Sequence, residues 1–364
     1  MYISLATPVS TRARKKIVNS KLNQCIKTYI EREYGVFRSA DFRELTAAIE
    51  AKPPVFVAIK RITATSGPKR IADELTYLKN LKGQHHVLPI VSAARHQDQV
   101  IVVSPYFSGM DFRDLIISVT IADIAGYMRL ILEALAYVHS YHIMHRDIKP
   151  SNFMFAREDN GTFRGLLVDF GLAQMEEQDM SKRAKTVGRK PDGYCPDTLR
   201  GSGLQRMINH LAYGYIDDDP RAMMKASRAG TRGFRAPEVL FKVAHQTIAI
   251  DIWSVGVILL TLLTKRYPFF QSTDDCDALV ELASIFGFDA MKRTARSYDR
   301  IWKCFIPTVP QWPIPWSVLI SKLNPNGIAV PDECLDLLTR MLDLDYRTRI
   351  TALEALDHPF LVKH

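Results

Sequence analysis

The first part of the chain combines short β-branched runs with one amphipathic segment. Residues 55–62 and 100–103 are rich in valine and isoleucine, which predicts two strands. Between them, residues 70–81 place three apolar side chains on one face of a helix, namely Ile71, Leu75 and Leu78. We therefore predict a small antiparallel sheet with one helix for this part.

The pattern changes to longer helices after Phe107. Residues 121–141 have helical periodicity, and residues 251–263 are apolar on nearly every side, which predicts a buried helix. The apolar run that contains it, residues 248–264, is too short and too interrupted to span a bilayer, and we expect no association with membranes. The second part is predicted to be larger and mostly helical.

Two long stretches lack strong periodicity, residues 172–229 and 271–331. Because structureless loops beyond about 15 residues are uncommon in compact domains, we interpret both as insertions with partial order. The predicted organisation is a basic N-terminal extension, a small lobe, and a large helical lobe that carries both insertions, at residues 1–25, 26–107 and 108–364.

The composition narrows the class of protein. With 364 residues, 47% hydrophobic and 24% charged, the chain has the make-up of a soluble globular protein. The five cysteines form no C-x-x-C pair, which argues against a disulfide framework or a zinc site. The net charge of +9 favours acidic partners without choosing among nucleic acid, phosphoprotein and acidic peptide. We expect no direct binding of nucleic acid.

The segment His-Arg-Asp-Ile-Lys-Pro-Ser-Asn, residues 145–152, groups side chains that phosphoryl transfer requires. That reaction needs positioned phosphates, metal ions and an oriented hydroxyl. Asp147 would orient the acceptor hydroxyl or take its proton, and Lys149 would reach the transferred phosphate. Asn152 and Asp169 offer oxygen atoms to Mg²⁺, a hard cation that prefers such ligands. The sequence therefore predicts phosphate transfer from ATP, with Mg²⁺ as cofactor.

The segment 145–152, which would be the catalytic loop, and Asp169-Phe170-Gly171, which follows 22 residues after Asp147, are uninformative one by one. Their order and spacing, however, match the protein-kinase template. In this template residues 57–60 form a strand, where Lys60 would neutralise the α- and β-phosphates of ATP and Ala58 would face adenine. Glu74 is the best candidate for the carboxylate that holds Lys60, and Asp73 is the second candidate. The match predicts an α+β, bilobal protein-kinase-like fold.

Residues 104–107 fall where the hinge of a kinase should lie. The backbone of Pro105 and Phe107 would bind adenine there, and Pro105 offers only its carbonyl because proline lacks an N–H group. Met154 would pack beneath the adenine ring.

Residues 230–238, Gly-Thr-Arg-Gly-Phe-Arg-Ala-Pro-Glu, fit the end of an activation segment. Thr231 would bond the aspartate and lysine of the catalytic loop, a feature of serine/threonine kinases. Glu238 would pair with Arg349 in a structural ion pair. Asp251 would anchor the backbone of the catalytic loop from the buried helix.

The glycine-rich loop departs from the template. Its nearest match is residues 33–40, where only Gly35 keeps a glycine, while Glu33, Arg38 and Ala40 take other template positions. Glycine allows backbone amides to approach phosphate closely, so these replacements predict weaker binding of ATP or a side-chain contact from Arg38. The alternative hypothesis is a pseudokinase, a scaffold that transfers no phosphate.

The chain resembles the cell division control protein 7 kinases over residues 30–361. The resemblance is most specific in residues 228–240, and it extends to residues 70–75, 249–260 and 266–275 and to the two insertions. Members of this family are catalytic subunits of the replication-initiation kinase. The competing interpretation is a casein-kinase-like or cyclin-dependent-like serine/threonine kinase.

The resemblance implies an activating regulatory subunit, location in the nucleus and action on the minichromosome maintenance helicase. It also implies substrates in which acidic or phosphorylated residues follow the serine or threonine. Arg232 and Arg235 are compatible with that preference, since arginine pairs well with carboxylate and phosphate. In the second insertion, Trp302, Trp312 and Trp316 would be either exposed docking residues or part of the helical core.

Overall fold

The computed structural model describes residues 57–62, 67–96, 99–176, 230–327 and 329–363. The predicted N-terminal extension, the degenerate glycine loop with Gly35, and most of the first predicted insertion lie outside these residues. The chain divides into two compact units. One comprises Met1–Gly109 with Leu166–Gly171, and the other comprises Met110–Gly165 with Leu172–His364.

The first unit contains a three-stranded antiparallel sheet and one long helix. The strands lie in the order β1-β3-β2, so the central strand is β3, the last of the three in sequence. These elements are β1 (Val57–Ile62), α1 (Pro68–Leu81), β2 (Ser92–His96) and β3 (Gln99–Pro105). The small sheet with one helix is as predicted, but strand β2 was not predicted because its sequence, Ser-Ala-Ala-Arg-His, has no β-branched residue.

Helix α1 begins at Pro68, whose fixed φ suits the first helical position. It ends at Leu81, and the C-cap residue Lys82 adopts a left-handed conformation with φ of 52°. The helix packs Ile71 and Leu75 against the buried face of the sheet, formed by Ile62, Val100 and Val102. This packing fixes which side of the helix, and so which carboxylate, faces the sheet.

The second unit is mainly helical. Its helices are α2 (Phe112–Ser118), α3 (Ile121–Ser140), α4 (Pro237–Leu240), α5 (Ala249–Thr264), α6 (Asp275–Phe286), α7 (Phe288–Ser297), α8 (Trp316–Leu323), α9 (Asp332–Met341), α10 (Ala352–Leu356) and α11 (Pro359–Lys363). Its short strands are β4 (Ile143–Met144), β5 (Phe153–Arg157), β6 (Phe163–Leu167, which continues into the first unit) and β7 (Gln174–Met175). Strands β4 and β7 pair, as do β5 and β6.

Helices α3 and α5 form the centre of this unit. Helix α3 starts with a capping box in which Thr120 and Asp123 satisfy each other's backbone N–H groups. Every residue of α5 from Ile250 to Thr264 is buried, as the apolar sequence predicts. Within the described residues, no helix is long and apolar enough to cross a membrane.

Residues 271–331, which the sequence analysis interprets as the second insertion, contain α6, α7 and α8. The tryptophans of this stretch differ in their surroundings. Trp302 packs against Phe288 and Trp316 packs against Phe286, with ring centroids 5.4 and 5.6 Å apart. Trp312 is 67% exposed.

Candidate active site

In the first unit, Lys60 lies between two carboxylates. Its Nζ is 2.7 Å from Oε1 of Glu74 and 2.7 Å from Oδ1 of Asp169. The ion pair with Glu74 is the predicted one. Asp73 instead lies on the exposed side of the helix, where its Oδ2 is 3.8 Å from Nζ of Lys69. The first unit therefore brings together three of the residues that the sequence selects.

Three different elements hold this group in place. Strand β1 carries Lys60, and the packing of α1 on the sheet turns Glu74 towards it. The segment before Asp169 is fixed by two backbone hydrogen bonds of Leu167, which accepts from Leu88 N (2.9 Å) and donates to His86 O (2.7 Å). Arg70 of α1 also donates to Gly171 O, at 2.8 Å from Nη2.

Charge explains the protonation state of Lys60. Burial alone would lower the pKa of its ammonium group, but the carboxylates of Glu74 and Asp169 outweigh burial and raise this pKa above the usual lysine value. Lys60 therefore stays positively charged and can neutralise phosphate oxygens.

In the second unit, Asp251 fixes the backbone of the catalytic loop, as predicted. Its side chain lies in the buried helix α5 and accepts from His145 N (2.8 Å, Oδ2) and Arg146 N (2.7 Å, Oδ1). The Oδ2 atom is also 3.0 Å from Nε2 of His139, in α3. These contacts tie the loop to the two central helices of the unit.

Arg146 needs this support because its φ is 68°, in the left-handed region. A non-glycine residue in that region costs roughly 1–2 kcal/mol. Its guanidinium donates to side-chain oxygens of Gln174 and Gln246, the latter at 2.6 Å. The backbone and side chain of Arg146 are thus both held, immediately before Asp147.

Asp147 lies in a dense network of hydrogen bonds. Its Oδ1 accepts from Thr231 Oγ1 (2.6 Å) and Thr231 N (2.9 Å), and its Oδ2 is 2.8 Å from Lys149 Nζ. Lys149 Nζ also donates to Thr231 Oγ1 at 2.8 Å. Asn152 Nδ2 donates to Asp147 O and Oδ2, at 2.9 and 3.0 Å. The four predicted catalytic residues therefore lie together, and Asn152 keeps its amide oxygen as the atom to offer a cation.

These contacts determine the charge on Asp147. Burial raises the pKa of a carboxyl group, but the hydrogen bonds from Lys149 and Thr231 outweigh burial and lower the pKa of Asp147 below its usual value. The side chain is therefore a carboxylate at neutral pH, able to orient a hydroxyl group.

The segment after Thr231 is fixed by a buried ion pair. Arg349 Nη1 and Nη2 donate to the two carboxylate oxygens of Glu238, at 2.7 and 2.9 Å, as the sequence predicts. Both side chains are fully buried. Arg349 also donates to Ala249 O (2.8 Å) and Asp343 O (2.9 Å), so most of its donors are satisfied.

The two arginines between these anchors differ in their surroundings. Arg235 donates to Gly230 O (2.9 Å) and pairs with Asp275 (2.9 Å) at the start of α6. Arg232 is exposed and donates to Thr273 O. A carboxylate of this chain thus already contacts Arg235.

The predicted adenine-binding residues occupy these positions. Ala58 pairs with Ser104 in the β1–β3 ladder, and Pro105, opposite Val57, ends strand β3. Phe107 follows and is half-buried. Met154 lies in β5 of the second unit and is also half-buried.

Four residues of these networks were missed by the sequence analysis: His139, Gln174, Gln246 and Asp275. All of them contact partners distant along the chain, from 28 residues for Gln174 to 112 for His139. Neither periodicity nor spacing reports such contacts. His139 could have been selected only from knowledge that kinases place a histidine at this position before the catalytic loop.

Comparison with known proteins agrees with this geometry. Residues 41–361 match the protein kinase domain. The chain is 46% identical to the probable cell division control protein 7 homolog 2 of Encephalitozoon cuniculi, over 88% of each chain. It is 42% identical to the cell cycle protein kinase spo4 of Schizosaccharomyces pombe, over 84% of this chain and 73% of that one.

A further relative is the cell cycle serine/threonine-protein kinase hsk1 of Schizosaccharomyces pombe, with 40% identity over 86% of this chain and 62% of that one. Identities of this size over most of the chain, together with the domain match, show which family of kinases it belongs to. The chain belongs to the cell division control protein 7 family of protein kinases, and it is an ATP-dependent serine/threonine kinase of the cell cycle.

Proposed function

We propose that Asp147 is the residue that orients the acceptor hydroxyl and receives its proton, and that Lys149 and Thr231 serve the same step. Lys149 would stabilise the charge on the transferred phosphoryl group. Thr231 would keep both side chains in position, since its hydroxyl bonds each of them. The observation that carries this proposal is the network around the Asp147 carboxylate, which holds its charge and its position.

Lys60 would bind the α- and β-phosphates of ATP, held by Glu74. By the same template, Ala58, Pro105, Phe107 and Met154 would be adenine-binding residues, and Gly35 would bind the phosphates. These assignments follow the kinase template, residue by residue.

The cation proposed for the site is Mg²⁺, bound by Asp169 and Asn152. Carboxylate and amide oxygens are the ligands that this hard cation prefers. In the described residues, no three histidine, cysteine or acidic side chains cluster as a protein-only metal site. Mg²⁺ commonly takes one or two protein ligands and completes its shell with phosphates and water.

We further propose that the kinase acts in the initiation of DNA replication, in the nucleus, on the minichromosome maintenance helicase. A regulatory subunit would activate it. The support for this is family membership, since the relatives are named as cell division and cell cycle kinases.

The proposed substrates carry an acidic or phosphorylated residue after the serine or threonine. Arg232 supports this, because it is exposed beside Thr231. Arg235 is the weaker candidate of the two, because Asp275 already pairs with it and a substrate carboxylate would share its guanidinium.

The experiment compares peptides that differ only after the serine: aspartate, phosphoserine, alanine or proline. We expect kcat/KM to be highest for aspartate and phosphoserine, with Arg232→Ala lowering both by about tenfold and leaving the alanine peptide nearly unchanged. Arg340→Ala is the matched control, since Arg340 is an exposed arginine that pairs with Asp336. A preference for proline would contradict the substrate proposal.

Each peptide is also tested with and without a co-purified regulatory subunit. Full activity of the chain alone would contradict the proposed dependence on that subunit. It would leave the roles of Asp147 and Lys149 untouched.

A further inference from the structure

The side chain of Arg146 has two glutamine partners to which the proposed transfer step assigns no role. Its Nη2 donates to Oε1 of Gln246 at 2.6 Å, and its Nη1 donates to Oε1 of Gln174. Arg146 is 7% exposed, so water competes little for these hydrogen bonds. We call Gln174 and Gln246 the glutamine pair. Two neutral side chains thus hold a buried guanidinium directly beside the catalytic Asp147.

The glutamine pair belongs to segments that are themselves fixed. Gln174 lies in strand β7, where it pairs with Met144 of β4, two residues before Arg146. Gln246 lies just before helix α5, and its Nε2 donates to Val243 O at 3.4 Å. Because the nitrogen of this amide bonds Val243, its oxygen is the atom that faces the guanidinium. Both acceptors are therefore positioned by the fold of the second unit.

The charge of Arg146 is balanced separately from its hydrogen bonds. Burial lowers the pKa of its guanidinium, and the carboxylate of Asp251 opposes this effect. An arginine stays protonated in proteins, so the side chain keeps its positive charge. The amide oxygens of the glutamine pair add no net charge. Asp251 thus supplies the negative charge, and the glutamine pair supplies acceptor atoms.

In kinases that are switched on by phosphorylation, a phosphate supplies both the charge and the acceptors. It adds nearly two negative charges and strong acceptor oxygens, and new arginine–phosphate pairs order the activation segment. In this chain glutamine oxygens already accept from both terminal nitrogens of Arg146. Residues 177–229 lie outside the described residues, and their sequence contains five serines and threonines, namely Ser181, Thr186, Thr198, Ser202 and Ser227.

We infer that Gln174 and Gln246 are positioning residues, which hold Arg146 and with it the catalytic loop without phosphorylation of residues 177–229. The inference rests on the proposed role of Asp147, because kcat reports where the loop places that carboxylate. The two ideas fail separately. A normal rate in Asp147→Asn would overturn the proposed role, whereas the experiments below compare forms of the chain that all keep Asp147.

The first experiment removes phosphate from the kinase. The unaltered chain, with any subunit that co-purifies, is treated with a broad-specificity phosphatase, which is then removed, and its intact mass establishes that no phosphate remains. A variant with alanine at the five serines and threonines of residues 177–229 cannot be phosphorylated there again during the assay. We expect kcat for ³²P transfer to stay within about twofold in both forms. A fall of about tenfold or more in either form overturns the inference.

The second experiment removes one acceptor. Gln246→Leu has a similar size but no acceptor oxygen, and it should lower kcat about tenfold by letting the loop shift. The KM for ATP should stay within about twofold, because the residues that hold Lys60 are unaltered. Gln246→Glu keeps an oxygen for Arg146, and its kcat should be at least about threefold higher than that of the leucine variant. Gln311→Leu, at an exposed glutamine of the second insertion, is the matched control and should keep kcat within about twofold.

Gln174→Leu repeats the test at an exposed position, where a leucine is compatible with folding. It should lower kcat about three- to tenfold. Circular dichroism establishes which variants are folded, and if Gln246→Leu is not, Gln174→Leu alone decides. An unaltered kcat in the folded leucine variants overturns the inference. Equal kcat values for Gln246→Leu and Gln246→Glu also overturn it, because the acceptor oxygen would then have no role.

Discussion

Replacing Asp251 by asparagine tests whether the buried clamp on the catalytic loop controls catalysis. Asp251 is fully buried and accepts hydrogen bonds from two successive backbone N–H groups, while also contacting His139. Asparagine has nearly the same shape but only one acceptor oxygen. Its NH₂ group would face one of the two backbone N–H donors, and that donor would lose its partner.

The size of the effect follows from these contacts. A hydrogen bond to a charged group contributes about 1.5–3 kcal/mol, and a buried N–H left unpaired costs about 1–3 kcal/mol. Because the two terms overlap, we expect Asp251→Asn to lower the free energy of unfolding by about 2–4 kcal/mol. This is less than the usual stability of about 5–15 kcal/mol, so the variant should still fold.

The loss of activity should be larger than the loss of folded protein explains. Arg146 holds φ of 68° next to the clamp, and with one hydrogen bond gone the loop can relax towards a less strained backbone. A displacement of about 1 Å at Asp147 would lower kcat about a hundredfold. The KM for ATP should change little, because Lys60, Glu74 and Asp169 are unaltered.

Two measurements on the same preparation check this prediction. Urea unfolding gives the change in stability, with an unchanged m-value indicating that the folded state is compared with a similar unfolded state. Steady-state kinetics gives kcat and KM at a temperature where the variant is folded. The control is Asp336→Asn, which makes the same substitution at a carboxylate that bonds Arg340 and His358 and not the catalytic loop. A normal kcat in Asp251→Asn would refute the reasoning, even if stability fell as expected.

Three further predictions follow from single contacts. Glu238→Ala should lower the free energy of unfolding by about 3–5 kcal/mol, because the guanidinium of Arg349 would be left buried without its carboxylate. An unchanged midpoint of urea unfolding would contradict this. Thr231→Ala should lower kcat roughly tenfold, because it removes the hydroxyl that bonds both charged side chains of the catalytic loop. Thr231→Ser keeps this hydroxyl and should retain activity. Equal rates for the two variants would count against a role for the contact. Cys334 is fully buried and burial raises the pKa of its thiol to about 12, whereas Cys276 is exposed, although burial and nearby aspartates raise its pKa as well. Because iodoacetamide reaches only the exposed thiol, mass spectrometry should find Cys276 alkylated at pH 8 while native Cys334 is not, and rapid labelling of both would disprove the burial argument.

The sequence was informative where function depends on short, ordered motifs. The spacing within the catalytic loop selected Asp147, Lys149 and Asn152, and the structure brings them into contact. Glu74 was preferred over Asp73 because the aspartate side chain is shorter, and in the structure the helix turns these two neighbours to different sides. In both cases the information lies within a few residues.

Contacts between distant segments were harder to foresee. The pairing of His139 with Asp251 joins two helices more than a hundred residues apart, and a single sequence carries no record of which histidine reaches which aspartate. The same holds for Asp275, whose ion pair with Arg235 makes this arginine a weaker candidate than Arg232 for binding a substrate carboxylate. The alternatives for the tryptophans of the second insertion stayed open for a related reason, because Trp312 and Trp316 differ in burial and not in local sequence character.

The proposed mechanism depends above all on the Asp147 carboxylate, which orients the acceptor hydroxyl and receives its proton. The most direct test is Asp147→Asn, which keeps the size of the side chain and removes its charge, with ³²P transfer and binding of a fluorescent ATP analogue measured on the same sample. We predict that the variant binds the analogue like the unaltered chain and transfers phosphate about 10²–10⁴ times more slowly. Transfer at the unaltered rate would contradict the account.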